Sequence, residues 1–136
     1  MSATTALRNA VSVKDQVSDE EWALRLDLAG MYRLAAKHGM TDLTFTHFSA
    51  RIPDADNQFL LNPYGLRFEQ ITASSLVRVD MDGNITLDNG HSVNAAGFTI
   101  HSAVHMARHD LQCLRQAPPP CLACALADQK NILKNI

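Results

Sequence analysis

The sequence predicts a mixed α/β domain, and three observations carry that prediction. A strongly capped helical pattern opens at Ser18. Short apolar runs separated by turn residues fill the middle of the chain. A second helical pattern begins near Phe98. The connections between the strand-like runs are short and turn-rich, which favours hairpin-like pairing over long crossovers.

Each element has a local cause. Met1 to Asp15 is polar without a clear period, so residues 1–17 read as a flexible N-terminal arm. Ser18 precedes Asp19, Glu20 and Glu21, an N-cap with acids in the first turn, and Ser18 with Glu21 makes a capping box. Trp22, Leu26, Ala29, Tyr32 and Ala36 recur at helical spacing and are expected to face the core, anchored by Trp22. Gly39 closes the helix after Lys37 and His38. Leu43-Thr44-Phe45 and Phe48 to Ile52 read as β, and Pro53 to Asn57 as a turn. Phe59-Leu60-Leu61 is a short strand stopped by Asn62-Pro63, and Tyr64-Gly65 is a tight bend. Thr72 caps a helical turn reaching Leu76. Val77 to Asp80 is a strand, turned at Asp82-Gly83-Asn84 into Ile85-Thr86-Leu87, and Asp88-Asn89-Gly90 turns again. From Phe98 to Arg108 the period is helical, with Phe98, His101, Ala103, Val104 and Ala107 on overlapping faces. Pro118-Pro119-Pro120 is incompatible with a helix interior or a central strand. Ala123 to Asn135 reads as a short, weakly capped helix.

Composition narrows the function classes. With 136 residues, the chain has the size of one domain, 46% apolar and 19% charged. A net charge of −2, with Lys and Arg scattered, argues against nucleic-acid binding. No apolar run has the length of a bilayer span, and Met1 to Asp15 has no signal-type apolar core. A cytoplasmic protein is expected.

Three patterns invite a metal or redox reading. Cys121-Leu122-Ala123-Cys124 has CxxC spacing, but it follows three prolines, lacks a second pair, and leaves an odd third thiol in Cys113. Incidental thiols are expected rather than a redox pair, zinc site or disulfide. His101, His105 and His109 stand at i, i+4 and i+8. Two such imidazoles can chelate a metal, but neither a third ligand nor a nearby acid can be placed, so packing and surface roles are expected. Asp80, Asp82 and Asn84 have the opening spacing of a calcium loop, yet Gly83 comes too early and no glutamate closes it, which leaves a hairpin turn.

Several longer motifs occur in order: Thr46-His47-Phe48-Ser49-Ala50-Arg51, the run from Phe59 to Leu66, the run from Thr72 to Asp80, and the run from Ala96 to Arg108. From Ser18 through Leu114 the chain resembles the class II aldolase/adducin N-terminal domain family, its adducin-like branch more than its sugar-phosphate aldolases. The resemblance implies a three-layer α/β/α domain on a largely antiparallel mixed sheet, truncated at its C-terminus. It also implies zinc chemistry in the family's aldolases and epimerases. There a metal held by three histidines polarises a ketone oxygen, a glutamate moves a proton, and small polar residues hold the substrate phosphate.

Carried over position by position, that apparatus is missing. The paired histidines fall at Gln116 and Pro118, and the third falls beyond Ile136. The glutamate falls at Gly97, the phosphate-binding serines at Ala95 and Ala96, a Gly-Asn pair at Thr46-His47, and a loop serine at Tyr64, with Gly65 kept. No catalytic, cofactor-binding or metal residue is therefore assigned, and zinc is a cofactor of intact catalytic relatives alone. The expected organisation is an arm over 1–17, a partial family domain over 18–114 and a divergent tail over 115–136. An incomplete sheet leaves an unpaired edge, from which self-association as a homo-oligomer is expected. The expected function is a catalytically incompetent adducin-like module, tied to actin filaments only through the adducin resemblance. The alternatives are a zinc-dependent aldolase or epimerase acting on small sugar phosphates, and a non-functional truncation product.

Overall fold

The computed structural model describes residues 12–41, 46–53 and 55–116. The Leu43-Thr44-Phe45 run, the three prolines, both cysteines of the CxxC and the helix expected over Ala123 to Asn135 lie outside the described residues.

Helix α1 spans Asp19–Lys37. The Ser18 hydroxyl accepts from the Glu21 amide at 3.1 Å, as the capping pattern requires. Gly39 takes a φ of +67° just past the end, a conformation glycine adopts without steric cost. The buried face of α1 contains the expected Ala29 and Tyr32 but is rotated from the rest of the expected stripe. Glu21, Arg25, Leu28, Ala29, Tyr32 and Ala35 are buried, whereas Leu26 is 53% exposed and Trp22 only half-buried. The stripe of apolar residues misplaces the face because two charged residues are inside. Arg25 Nε donates to Glu21 at 2.9 Å, and its Nη1 donates to the carbonyls of Ala73 and Leu76. Arg78 reaches the other Glu21 oxygen at 2.8 Å. Charges that are paired and hydrogen-bonded can be buried, and a pattern of apolar residues alone does not register them.

Among the described residues five strands follow: β1 Phe48–Arg51, β2 Gln58–Leu61, β3 Val77–Asp80, β4 Ile85–Leu87 and β5 Cys113–Arg115. Their order in the sheet is β4-β3-β2-β1-β5, and every neighbouring pair is antiparallel. A 3₁₀ turn at Phe68–Gln70 and a turn closed by Ser75 N on Thr72 Oγ1 lead into β3. At the β3–β4 hairpin the Asp80 carboxylate accepts from the amides of Asp82 and Asn84 and from the Asn84 side chain. The expected turn is present there.

Alternation along the strands separates two faces. Phe48, Ala50 and Leu60 pack with Leu28, Tyr32 and Ala35 of α1 and with Phe68, Ile71 and Leu76. Phe59, Leu61, Val77 and Val79 face the other way, against Phe98. Phe98 lies on helix α2, Ala95–Ala107. One helix therefore covers each face, giving the α/β/α layering on an antiparallel sheet. Helix α2 starts three residues before the period becomes visible. Asn94 caps it through Ala96 N, and Ala95, Ala96 and Gly97 carry no amphipathic signal. It ends at Ala107, so His109 falls in the turn beyond it and is exposed. The expected i, i+4, i+8 face is thus only a pair.

Strand β5 has no counterpart in the sequence reading. It pairs Phe48 with Arg115, Ser49 with Leu114 and Ala50 with Cys113, and Gln116 N then donates to the His47 carbonyl at 2.9 Å. The sheet thus continues past Leu114. Among the described residues no helix is long and apolar enough to cross a membrane.

Candidate functional site

The buried polar residue of β1, Ser49, lies on the α2 face. Ser49 alternates with Phe48 and Ala50, so its hydroxyl points away from α1 and toward α2. His101 and His105 lie one turn apart and both turn inward. Ser49 Oγ is 2.6 Å from His101 Nδ1 and 2.8 Å from His105 Nε2, and all three residues are fully buried. A hydroxyl has one proton, so Ser49 donates to one imidazole and accepts from the other. Phe59 closes the cluster from β2, its ring 5.0 Å from that of His105.

Both imidazoles are held neutral. Burial pushes His101 down to about 3, helped by the nearby His47 and His105. Burial also pushes His105 down to about 4, with Arg51 adding to the effect and the Leu111 backbone opposing it. Arg51 lies alongside, donating to the carbonyls of His105 and Leu111. The far nitrogens, His101 Nε2 and His105 Nδ1, have no well-aligned hydrogen-bond partner.

His47 belongs to the same region, edge-on to His101 with ring centroids 6.0 Å apart. Its Nδ1 donates to Asn62 Oδ1 at 3.0 Å. That oxygen also lies 2.9 Å from the Tyr32 hydroxyl, which accepts from Phe48 N at 2.7 Å. Burial shifts the Tyr32 phenol far upward, so it remains a neutral hydroxyl. The His47 ring packs against Gly97 at the start of α2. A Cβ at residue 97 would lie 2.6 to 2.8 Å from three of its atoms.

The other family positions are scattered. Ala95 and Ala96 are exposed on the first turn of α2, Tyr64 is 61% exposed, and Gly65 takes a φ of +83° in its bend. Gln116, to which the resemblance carries the first of the paired histidines, has an amide side chain. Among the described residues no group of three His, Cys, Asp or Glu side chains could hold a metal ion. The nitrogens of His101 and His105 that face each other are both committed to Ser49. This donor set does not fit the family's zinc. Two clefts run between α1 and β5, over Leu28, Met31, Leu34, Phe48 and Arg115, and none of the three clustered imidazoles lines either.

Sequence reasoning treated His101 and His105 by helical spacing and His47 only as a replacement for asparagine. It did not join them to Ser49 and Asn62. The alternation of polar His47 and Ser49 with apolar Phe48 and Ala50 was the available signal.

The family model for the class II aldolase and adducin N-terminal domain matches residues 26–135. The chain belongs to this family. It is 57% identical over 100 residues to a Caulobacter vibrioides protein named for the class 2 aldolases, covering 74% of this chain and 39% of that one. It is 40% identical over 116 residues to mouse alpha-adducin, covering 83% of this chain and 16% of that one. Among solved structures, an aldolase II superfamily protein from Pseudomonas syringae superposes with a TM-score of 0.76 at 53% identity, covering 79% of this chain and 43% of the other. The L-fuculose 1-phosphate aldolase of Glaciozyma antarctica superposes at 0.67 with 34% identity, covering 71% and 40%. The chain therefore spans well under half the length of these relatives.

Proposed function

We propose that this chain is a class II aldolase/adducin-like module without aldolase chemistry of its own, of the adducin-like kind. The observation that supports this most is the packing of His47 on Gly97, which puts an imidazole where the family's proton-transferring carboxylate would begin. General acid–base catalysis needs such a group within reach of the substrate, and residue 97 offers only backbone. The hydroxyls expected to hold a phosphate are replaced by methyl groups at Ala95 and Ala96. By analogy with its adducin relatives, the module takes part in assembly with actin filaments in the cytoplasm. Among the described residues the sheet ends on β4 and β5, and such edges favour self-association.

The competing reading is a zinc aldolase or epimerase of small sugar phosphates, favoured by the 34% identity to a fuculose phosphate aldolase. A retro-aldol assay on the purified chain with added zinc, coupled to aldehyde detection, separates the two. No turnover above blank is expected. Chelator-sensitive turnover would establish the enzyme reading.

A further inference from the structure

We propose that His47 and Gly97 form one structural unit in which each position sets what the other can be. This deepens the reading above and takes from it the meaning of position 97. The contact itself stands on geometry. An added Cβ at residue 97 would meet His47 Nε2 at 2.6 Å, Cδ2 at 2.7 Å and Cε1 at 2.8 Å. Real Cβ atoms essentially never approach neighbours so closely, and because three atoms of the His47 ring are involved, relief requires the whole imidazole to move.

The ring cannot swing aside without breaking other bonds. Its Nδ1 is held by Asn62, itself within 2.9 Å of the Tyr32 hydroxyl, and these three residues are all at most 3% exposed. His101 stands edge-on to the ring, and the His47 carbonyl is tied to Gln116 N across β1 and β5. Gly97 carries no positive φ, so it is not required for backbone reasons. Glycine inside a helix is ordinarily the destabilising choice relative to alanine. Here the imidazole makes it the required one.

A carboxylate therefore cannot be regained at position 97 while His47 remains. A Gly97→Glu chain lacks room for the first carbon of the new side chain. Removing the imidazole opens that room, and with it the first turn of α2.

The test is a thermal and urea double-mutant cycle on the full 136-residue chain, using Gly97→Ala and Gly97→Glu in wild-type, His47→Ala and His47→Asn backgrounds. In the wild-type background Gly97→Ala is expected to lower Tm by about 4–8 °C or more. In the His47→Ala background the same change should leave Tm unchanged or raise it. If Gly97→Ala does not fold alone, recovery of a cooperative transition in the double variant carries the same meaning. A Gly97→Ala chain at least as stable as wild type, or an equal loss in all backgrounds, overturns the proposal. Turnover by the wild-type chain in the aldol assay would defeat the proposed function and leave this cycle untouched, so the two failures are distinguishable.

Discussion

The two faces of the sheet solve burial differently. Under α1 the interior is aromatic and dry: Tyr32 stacks on Phe48 at 4.8 Å, and Phe68 meets both rings edge-on. The buried charges there, Glu21 and Arg25, are paired with each other and, through Glu21, with Arg78. Under α2 the interior is polar. Three imidazoles, a serine and an asparagine sit together, joined through the Ser49 hydroxyl and the Asn62 side-chain oxygen. The first face is built for stability. The second keeps the polar character of a site, while its groups satisfy one another instead of pointing at a ligand.

The largest expected effect belongs to the α1 face. Glu21→Ala leaves Arg25 buried without its carboxylate and should cost about 3–5 kcal/mol by urea denaturation. A loss below about 1 kcal/mol would mean that water reaches Arg25 and that this face is less dry than described. On the α2 face, Ser49→Ala removes the hydroxyl that both imidazoles share. A cost of about 1–3 kcal/mol is expected from the stranded nitrogens. A neutral or stabilising result would show that His101 and His105 find other partners.

Acid should act through the α2 face. His101 and His105 are depressed to about 3 and about 4 from an ordinary value of 6.5. Below pH 6.5 the unfolded chain takes up protons that the folded chain refuses, so stability falls as pH falls from 6.5 toward 4. Above pH 6.5 these two groups contribute no slope. Denaturation midpoints across pH 4 to 8, compared with a His101→Ala variant, check this, and the variant should show a shallower decline. An unchanged slope would remove His101 from the acid response.

The smallest effect distinguishes the inside of α1 from its flank. Trp22 is half-buried, so Trp22→Ala should fall short of the roughly 3–5 kcal/mol of a fully buried aromatic. Tyr32→Ala, at 0% exposure, should reach that range. Equal losses would mean that Trp22 lies as deep in the core as Tyr32, as the expected stripe had it.

Local chemistry made much of the fold legible. The Ser18 cap, Gly39, the β2 and β3 runs and the Asp82-Gly83-Asn84 turn each carry their own signal. The phase of α1 did not, because Glu21 and Arg25 are inside, paired with each other and held by Ala73, Leu76 and Arg78 about fifty residues away. Strand β5 did not either, since Cys113-Leu114-Arg115 is three residues long and gains its identity only by pairing with β1. The ordered family motifs identified the domain. The polar cluster under α2 could not be read from spacing, because His47 meets Gly97 and Ser49 meets His101 only in the folded chain.

Whether the polar face is self-satisfied or is a latent metal site is decided most directly by isothermal titration of zinc into the full chain at neutral pH. Ser49 holds the facing nitrogens of His101 and His105, and no third ligand joins them among the described residues, so only weak binding without a defined stoichiometry is expected. A tight one-to-one site, abolished by His101→Ala or His105→Ala, would contradict that reading and make the α2 face a metal centre.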